Sequence, residues 1–223
     1  MPLASSLCGA LLPAGTMGAF FVAALLLGIA PGPDNIFVLT QSALYGARAG
    51  IASTLGLMTG LVWHTLIVAL GVAAIFQTSP AAFTALKLVG AAYLVYLAWL
   101  TWKSGSVRAP AQGAGAASTG PTLWALYRRG VLMNATNPKV TLFFLAFLPQ
   151  FTKPELGMLP WQTVQLGLLF ALSTLLVFGA VALVGGRLSL WLNDSPRGQL
   201  CINRLAALIF VLLAASLLFT GME

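Results

Sequence analysis

Two short stretches of the chain put ionisable and helix-breaking residues inside otherwise apolar sequence. The first is Gly28-Ile29-Ala30-Pro31-Gly32-Pro33-Asp34-Asn35, set between the apolar runs Phe20 to Leu27 and Ile36 to Leu39. The second is Asn134-Ala135-Thr136-Asn137-Pro138-Lys139. A proline in a helix interior removes one hydrogen bond and clashes with the preceding turn, at a cost of ~3 kcal/mol. At the first position of a new helix it is well tolerated. Pro33 and Pro138 therefore each start a half-helix. Asn137 stands where an N-cap belongs, and Gly32 holds the equivalent place after Pro31. Two half-helices arranged in this way aim unpaired N–H groups and positive dipole ends into the protein centre, which suits an anion such as a carboxylate.

Asp34 follows one break and Lys139 the other. Asp34 is the only acidic residue inside an apolar span, and Lys139 is one of two interior lysines. A charge at mid-depth in a membrane costs roughly 2.5–3.5 kcal/mol on insertion scales, so such residues mark pathways or pairs. One reading is structural: Asp34 caps its own half-helix or pairs permanently with Lys139. The other is a switchable pair, in which Asp34 takes a proton or a substrate amine while Lys139 holds a carboxylate or locks the empty site. We adopt the second.

Further polar residues accompany this pair. Gln41 lies two helical turns after Asp34, Gln150 ends the fourth apolar span, and His64 is alone in the second. Gln41, His64 and Gln150 join Asp34, Asn137 and Lys139 as candidate binding residues, although a lone histidine in an apolar helix is more often a hydrogen-bonded structural element. Thr59, Thr65 and Thr141 are expected to bond their own preceding turns. Lys87, near one end of the third span, is expected to snorkel to the outer interface.

The elements that position these residues follow from composition. At 59% hydrophobic and 7% charged residues, the chain has too few charges for a soluble domain, which carries roughly 25%. Several runs approach the ~20 apolar residues that span a bilayer. They are continuous rather than alternating, which favours helices over a closed barrel. The first fifteen residues have no basic side chain ahead of the apolar stretch, so no cleavable signal is expected. Six spans are marked at about 17–43, 49–76, 80–102, 122–151, 160–186 and 203–222. The first and fourth are the broken ones.

The net charge of +7 is spread over loops and reads as topology rather than as a nucleic-acid patch. Arg48, Lys103, Arg108, Arg128, Arg129, Arg187, Arg197 and Arg204 fall by the odd-numbered loops, against Lys153 alone on the other side. The odd loops are therefore cytoplasmic and both termini outside. Residues 104–121 form a Gly/Ala/Ser/Pro linker between two sets of three spans. An odd number of spans per half inverts one half relative to the other. The expected fold is all-α, a 3+3 inverted repeat with residues 1–103 and 122–223 as its halves. Interrupted helices at matching places in such halves point to a transporter's midplane binding site.

Other features read as scaffold. Gly46 with Gly50, and Gly56 with Gly60, permit close helix packing within the bundle, a homodimer face being the alternative. Tyr93, Tyr96, Trp99 and Trp102 read as an interfacial aromatic belt. Cys8 and Cys201 are too far apart in sequence to imply a framework or metal spacing.

The stretch from Gly28 to Ile51, opening on the Pro31-Gly32-Pro33-Asp34 motif, resembles the lysine exporter (LysE) family, and especially its homoserine and threonine exporter branch (RhtB). Residues 87–99 and 134–151 are similar to that branch's third-span and fourth-span signatures, with Ala98 where glycine is expected and an atypically long linker. The resemblance implies export of an amino acid or close derivative across the inner membrane, driven by the proton gradient and needing no cofactor. By motif it assigns Pro31, Gly32, Pro33, Asp34, Asn137, Pro138 and Lys139 to the site, with Gln41, His64 and Gln150 following.

The residues independently favour a small zwitterion, because one interior carboxylate and one interior ammonium match an amine plus a carboxylate. A cadmium-type cation exporter is the alternative, but divalent or soft cations want several carboxylates or thiolates, and only Asp34 is offered. A channel suits the inverted broken halves less well. An enzyme or thiol carrier lacks a reactive set: there is one histidine and no paired cysteines. A purely structural membrane subunit sits poorly with two interior charges.

Overall fold

The computed structural model describes residues 11–72, 79–104 and 120–219. Cys8, Arg108 and most of the 104–121 linker lie outside the described residues. Among the described residues every regular element is a helix. Helix α1 (Ala14–Ile29) and α2 (Pro33–Tyr45) meet at a 61° bend. Helix α3 (Ala47–Ile67) runs into a π-helical turn at Val68–Val72, and α4 spans Pro80–Lys103. After the linker, α5 (Leu123–Ala135) meets α6 (Pro138–Leu142) at a second bend of 46°. The chain continues from α6 through a π-helical turn, Phe143–Phe147, and a 3-10 turn, Leu148–Phe151. Helices α7 (Leu159–Asp194) and α8 (Pro196–Phe219) complete the order. Four of these helices are long and apolar enough to cross a membrane, or six spans if each bent pair counts as one.

Both breaks form where the prolines require them. Gly32 and Asn137 are the N-cap residues of α2 and α6, and Pro33 and Pro138 their first residues. Other boundaries move. The sixth span begins at Pro196 rather than 203, because Ser195 accepts the Gly198 N–H at 3.2 Å and Pro196 takes the first helical position. Arg197, Gln199, Asn203 and Arg204 hide that turn from a hydropathy reading. Helix α7, at 36 residues, is ~54 Å long at 1.5 Å per residue. It overshoots the ~30 Å apolar core of a bilayer, so its last turns reach beyond the expected end at 186. In the second span α-helical geometry ends at Ile67 and Gly71 adopts φ 102°, while residues 73–76 lie outside the described residues.

Helix association in lipid gains little from hydrophobic burial and depends on close packing. Contact is most extensive between α3 and α5 and between α4 and α8, with α7 packed on α2 and α3. At the α3–α5 seam a Cβ on Gly56 would collide with the Tyr127 carbonyl, one on Gly130 would lie 2.5 Å from the Ser53 carbonyl, and one on Gly60 2.7 Å from Asn134 Cβ. Gly50 is equally confined, 2.8 Å from Ala182 Cβ. Gly46 departs from the packing expectation. Nothing lies within 4 Å of its Cβ position, and it adopts φ +83° in the turn joining α2 to α3, a left-handed value that favours glycine.

The main core lies around α6. Phe20, Leu27, Phe143, Phe144, Phe147, Phe170 and Phe210 belong to one buried cluster, with Phe143 and Phe147 stacked at 4.8 Å and Phe144 edge-on to Phe170 at 5.2 Å. The π-helical turn after α6 puts Phe143, Phe144, Ala146 and Phe147 all into buried positions. Ala98 is also buried in this cluster. On α4, Trp99 and Trp102 are exposed beside Lys103, 4.2 Å from the Trp99 ring, and Arg204, 5.5 Å from that of Trp102, the cationic and aromatic mix of a membrane interface.

Candidate functional site

The two breaks meet. Pro138 has no N–H, so the Asn134 carbonyl, four residues earlier, is left without its usual helical donor. That carbonyl accepts instead from the Asn137 N–H at 2.9 Å and pairs with His64 Nε2 at 2.9 Å. Since the partner is a carbonyl, Nε2 carries the hydrogen. The Asn134 side chain donates from Nδ2 to Asp34 Oδ2 at 3.3 Å. The close approach at Gly60 brings Asn134 to this position. Asp34, Asn134 and His64 thus form one buried chain linking α2, α5 and α3, with respective exposures of 5%, 1% and 3%.

Lys139 crosses in the opposite direction. Its own N–H donates to Asn137 Oδ1 at 3.0 Å, which caps α6. Its Nζ donates to the Ala30 carbonyl at 2.9 Å, at the end of α1, and lies 5.5 Å from the Phe210 ring of α8. Lys139 as a whole is 7% exposed. It is bonded to the backbone of the first break rather than to Asp34 Oδ1, which has no hydrogen-bond partner. On α2, Asn35 Nδ2 donates to the Gly28 carbonyl at 2.7 Å, bridging the bend. A Cβ on Gly32 would lie 3.3 Å from Lys139 Nζ and 3.7 Å from Asn35 Oδ1, so the glycine keeps the space between them clear.

Each of the three asparagines has one end of its amide committed, which fixes the role of the other. Asn35 Oδ1, Asn134 Oδ1 and Asn137 Nδ2 are buried with no partner at hydrogen-bond distance, as is Asp34 Oδ1, whose carboxylate the Asn137 side chain faces. Buried polar atoms in native proteins are overwhelmingly hydrogen-bonded, and leaving one unpaired costs roughly 1–3 kcal/mol. Three acceptors and one donor of this kind gather at one junction, beside the Lys139 ammonium.

Of the residues singled out in the sequence, Asp34, Asn137, Lys139 and His64 come together here, with Pro31, Gly32, Pro33 and Pro138 forming the two turns. Gln41 is buried on α2, two turns from Asp34. Gln150 is not brought to this cluster: its Nε2 donates to the Ala146 carbonyl at 2.8 Å, within its own segment. Asn134 and Asn35 were missed. Their signal was their place, three residues before Asn137 and one after Asp34, each next to a break where backbone groups need partners. Thr59, Thr65 and Thr141 do bond the preceding turn, and Lys87 reaches the Leu218 carbonyl at 3.5 Å near the end of α8. Cys201 is a free, exposed thiol. Among the described residues no three His, Cys, Asp or Glu side chains group as metal ligands.

Two cavities flank α2. One of about 740 Å³ lies at its far end, lined by Ser42, Gly46, Ala47, Ala182 and Arg187 among others. The other, of about 420 Å³, lies beside the first bend and includes Asn35 in its wall.

Four apolar helices of membrane-crossing length and two bent helix pairs that meet at a buried polar junction define a polytopic helical membrane protein. The chain belongs to the LysE type translocator family, whose model matches residues 24–221. It is 32% identical over 199 residues to a homoserine/homoserine lactone efflux protein of Salmonella typhimurium, covering 89% of this chain and 94% of that one. It is 33% identical over 194 residues to an uncharacterized membrane protein of Vibrio cholerae, covering 86% and 91%. A leucine efflux protein of Salmonella typhimurium shares 31% identity over 147 residues, 62% of this chain and 65% of the relative. No solved structure matches the chain.

Proposed function

We propose that the protein exports an amino acid or close derivative across the bacterial inner membrane by proton antiport, with alternating access at the junction of the two breaks. The observation that carries this reading is the pairing of opposite chemistries at one buried place. Asp34 Oδ1 and Asn134 Oδ1 are unpartnered acceptors for a substrate ammonium, while the Lys139 ammonium is the donor for a carboxylate. The names of the efflux relatives, for homoserine, homoserine lactone and leucine, agree with such a substrate.

In this mechanism Asp34 alternates between proton and substrate amine. When the site is empty, Lys139 holds the Ala30 carbonyl and so ties the second break to the first. A substrate carboxylate competes for that ammonium and releases the tie, which frees the bent pairs α1–α2 and α5–α6 to move relative to each other. An inverted pair of three-span halves would supply the two access states. The cavity at Arg187 lies at the end of α2 that the distribution of basic residues puts in the cytoplasm, where it serves as a vestibule. A cation exporter is disfavoured by the single carboxylate. Proteoliposomes given a panel of labelled amino acids test the reading. Counterflow that depends on an imposed pH gradient supports it, and no counterflow of any amino acid or derivative rejects it.

A further inference from the structure

We infer that His64 is a second proton-binding site of the junction, and that its protonated form opposes a substrate ammonium at Asp34. This rests on the amino-acid reading of the junction and adds to it the titratable side chain that the reading leaves idle. His64 is the single histidine of the chain and is 3% exposed on α3. A purely structural donor to the Asn134 carbonyl needs no ring that titrates near neutral pH. The hydroxyls of Ser53, Thr54, Thr59 and Thr65, on the same helix, all donate back to their own preceding turns. His64 instead donates to another helix, and to the residue that holds Asp34.

With Nε2–H committed to that carbonyl at 2.9 Å, the lone pair is on Nδ1, where an added proton gives an imidazolium. No contact breaks, because Nε2 still donates, and the bond gains strength from the charge. Asn134 holds the ring by its backbone and the carboxylate by its side chain, and the charges of His64 and Asp34 act on each other. The other charges around the ring are few. Lys139 acts on Asp34 from α6, and the turn after α6 presents Phe144, 5.6 Å from the imidazole. Arg128 and Arg129 of α5 are exposed, the latter over the Phe37 ring. Helix α7 packs on α3 at Gly167, whose Cβ would lie 2.5 Å from Thr65 Oγ1. Its Arg187 lies ~30 Å further along the helix, with Asp194 beyond. The turn Val68–Val72 has no ionisable side chain. A proton on His64 therefore places a further cation near Asp34, in addition to Lys139. Neighbouring like charges disfavour each other, so imidazolium and substrate ammonium compete for the same carboxylate. Exchange of proton for substrate needs such competition.

Because the chain has one histidine, nitrogen NMR of the full-length protein labelled at histidine observes this ring directly. Nδ1 is expected to gain a proton between about pH 8 and pH 4.5 while Nε2 keeps its own. Asp34→Asn, which removes the facing carboxylate, should move the midpoint at least about half a pH unit to the acid side. A ring that stays neutral throughout, or a midpoint unmoved by Asp34→Asn, overturns the inference. The second measurement is counterflow of leucine and of homoserine in proteoliposomes with equal pH on both sides. Wild-type KM should rise about tenfold from pH 8 to pH 5, and that of His64→Gln about threefold or less, the remainder belonging to Asp34. The glutamine amide can donate to the Asn134 carbonyl but takes no proton. A His64→Gln variant with the wild-type pH profile, or one inactive at pH 8 where the ring is neutral, assigns His64 a structural part alone. If the wild type moves no amino acid at all, the exporter reading fails, and the histidine resonance still decides the proton site.

Discussion

Asn134 and Asp34, a hundred residues apart in the chain, share a 3.3 Å hydrogen bond that joins the two broken helices. The same asparagine offers its carbonyl to His64. Its side chain therefore faces one break while its backbone is freed by the other. Asn134→Ala leaves Asp34 without this donor and is expected to reduce transport by ten- to a hundredfold. That corresponds to the roughly 1.5–3 kcal/mol of a hydrogen bond to a charged group. Asn134→Asp, which puts a second carboxylate beside Asp34, should be at least as harmful. Initial rates in proteoliposomes decide it, with membrane insertion checked by fractionation.

Pro138→Ala restores an N–H four residues after Asn134, which can then compete for the carbonyl that His64 occupies. At the first position of α6 proline costs the helix little, so the substitution leaves helical propensity nearly unchanged. The variant is expected to be as stable as the wild type or more so in detergent, yet slower in transport. A thermal melt set beside a transport assay separates the two effects.

Lys139→Ala removes the donor from the Ala30 carbonyl and the ammonium from the proposed carboxylate site. The expected outcome is a rise of about ten- to a hundredfold in KM for substrates bearing a free carboxylate. Substrates whose carboxyl is esterified or closed into a lactone should lose much less. Equal loss for both classes would assign Lys139 a purely structural part.

Gly60→Ala tests the scaffold under the site. Its new Cβ would lie 2.7 Å from Asn134 Cβ and 2.9 Å from the Val131 carbonyl, so α3 and α5 must separate. Overpacking of this kind costs about 1–3 kcal/mol, and the melting temperature in detergent should fall. Gly15→Ala, with nothing within 4 Å of its Cβ position, is the control and should change little.

Much of this arrangement is legible from sequence, for a physical reason: proline and glycine in an apolar run have few explanations. Pro33 and Pro138 each locate a helix start to the residue, and Asn137 its cap. Less was legible where a residue's part depends on what lies opposite. Asn134 and Gln150 are both amides near the ends of helical segments. Only packing shows that the first meets Asp34 while the second bonds its own turn. Gly46 and Gly56 look alike in a small-residue pattern, but one turns the chain and the other admits a neighbouring backbone. The bend at Gly71 carried no proline to announce it. The early start of α8 was hidden by polar residues that a helix extending past the apolar core can carry.

The central claim is that Asp34 couples proton movement to export, and one comparison tests it most directly. Wild type and Asp34→Asn are reconstituted side by side, and substrate movement is followed with and without an imposed pH gradient. The account predicts that wild-type transport is driven by the gradient and that the asparagine variant, inserted to the same level, shows no gradient-driven transport. Gradient-driven transport by Asp34→Asn at the wild-type rate would contradict it.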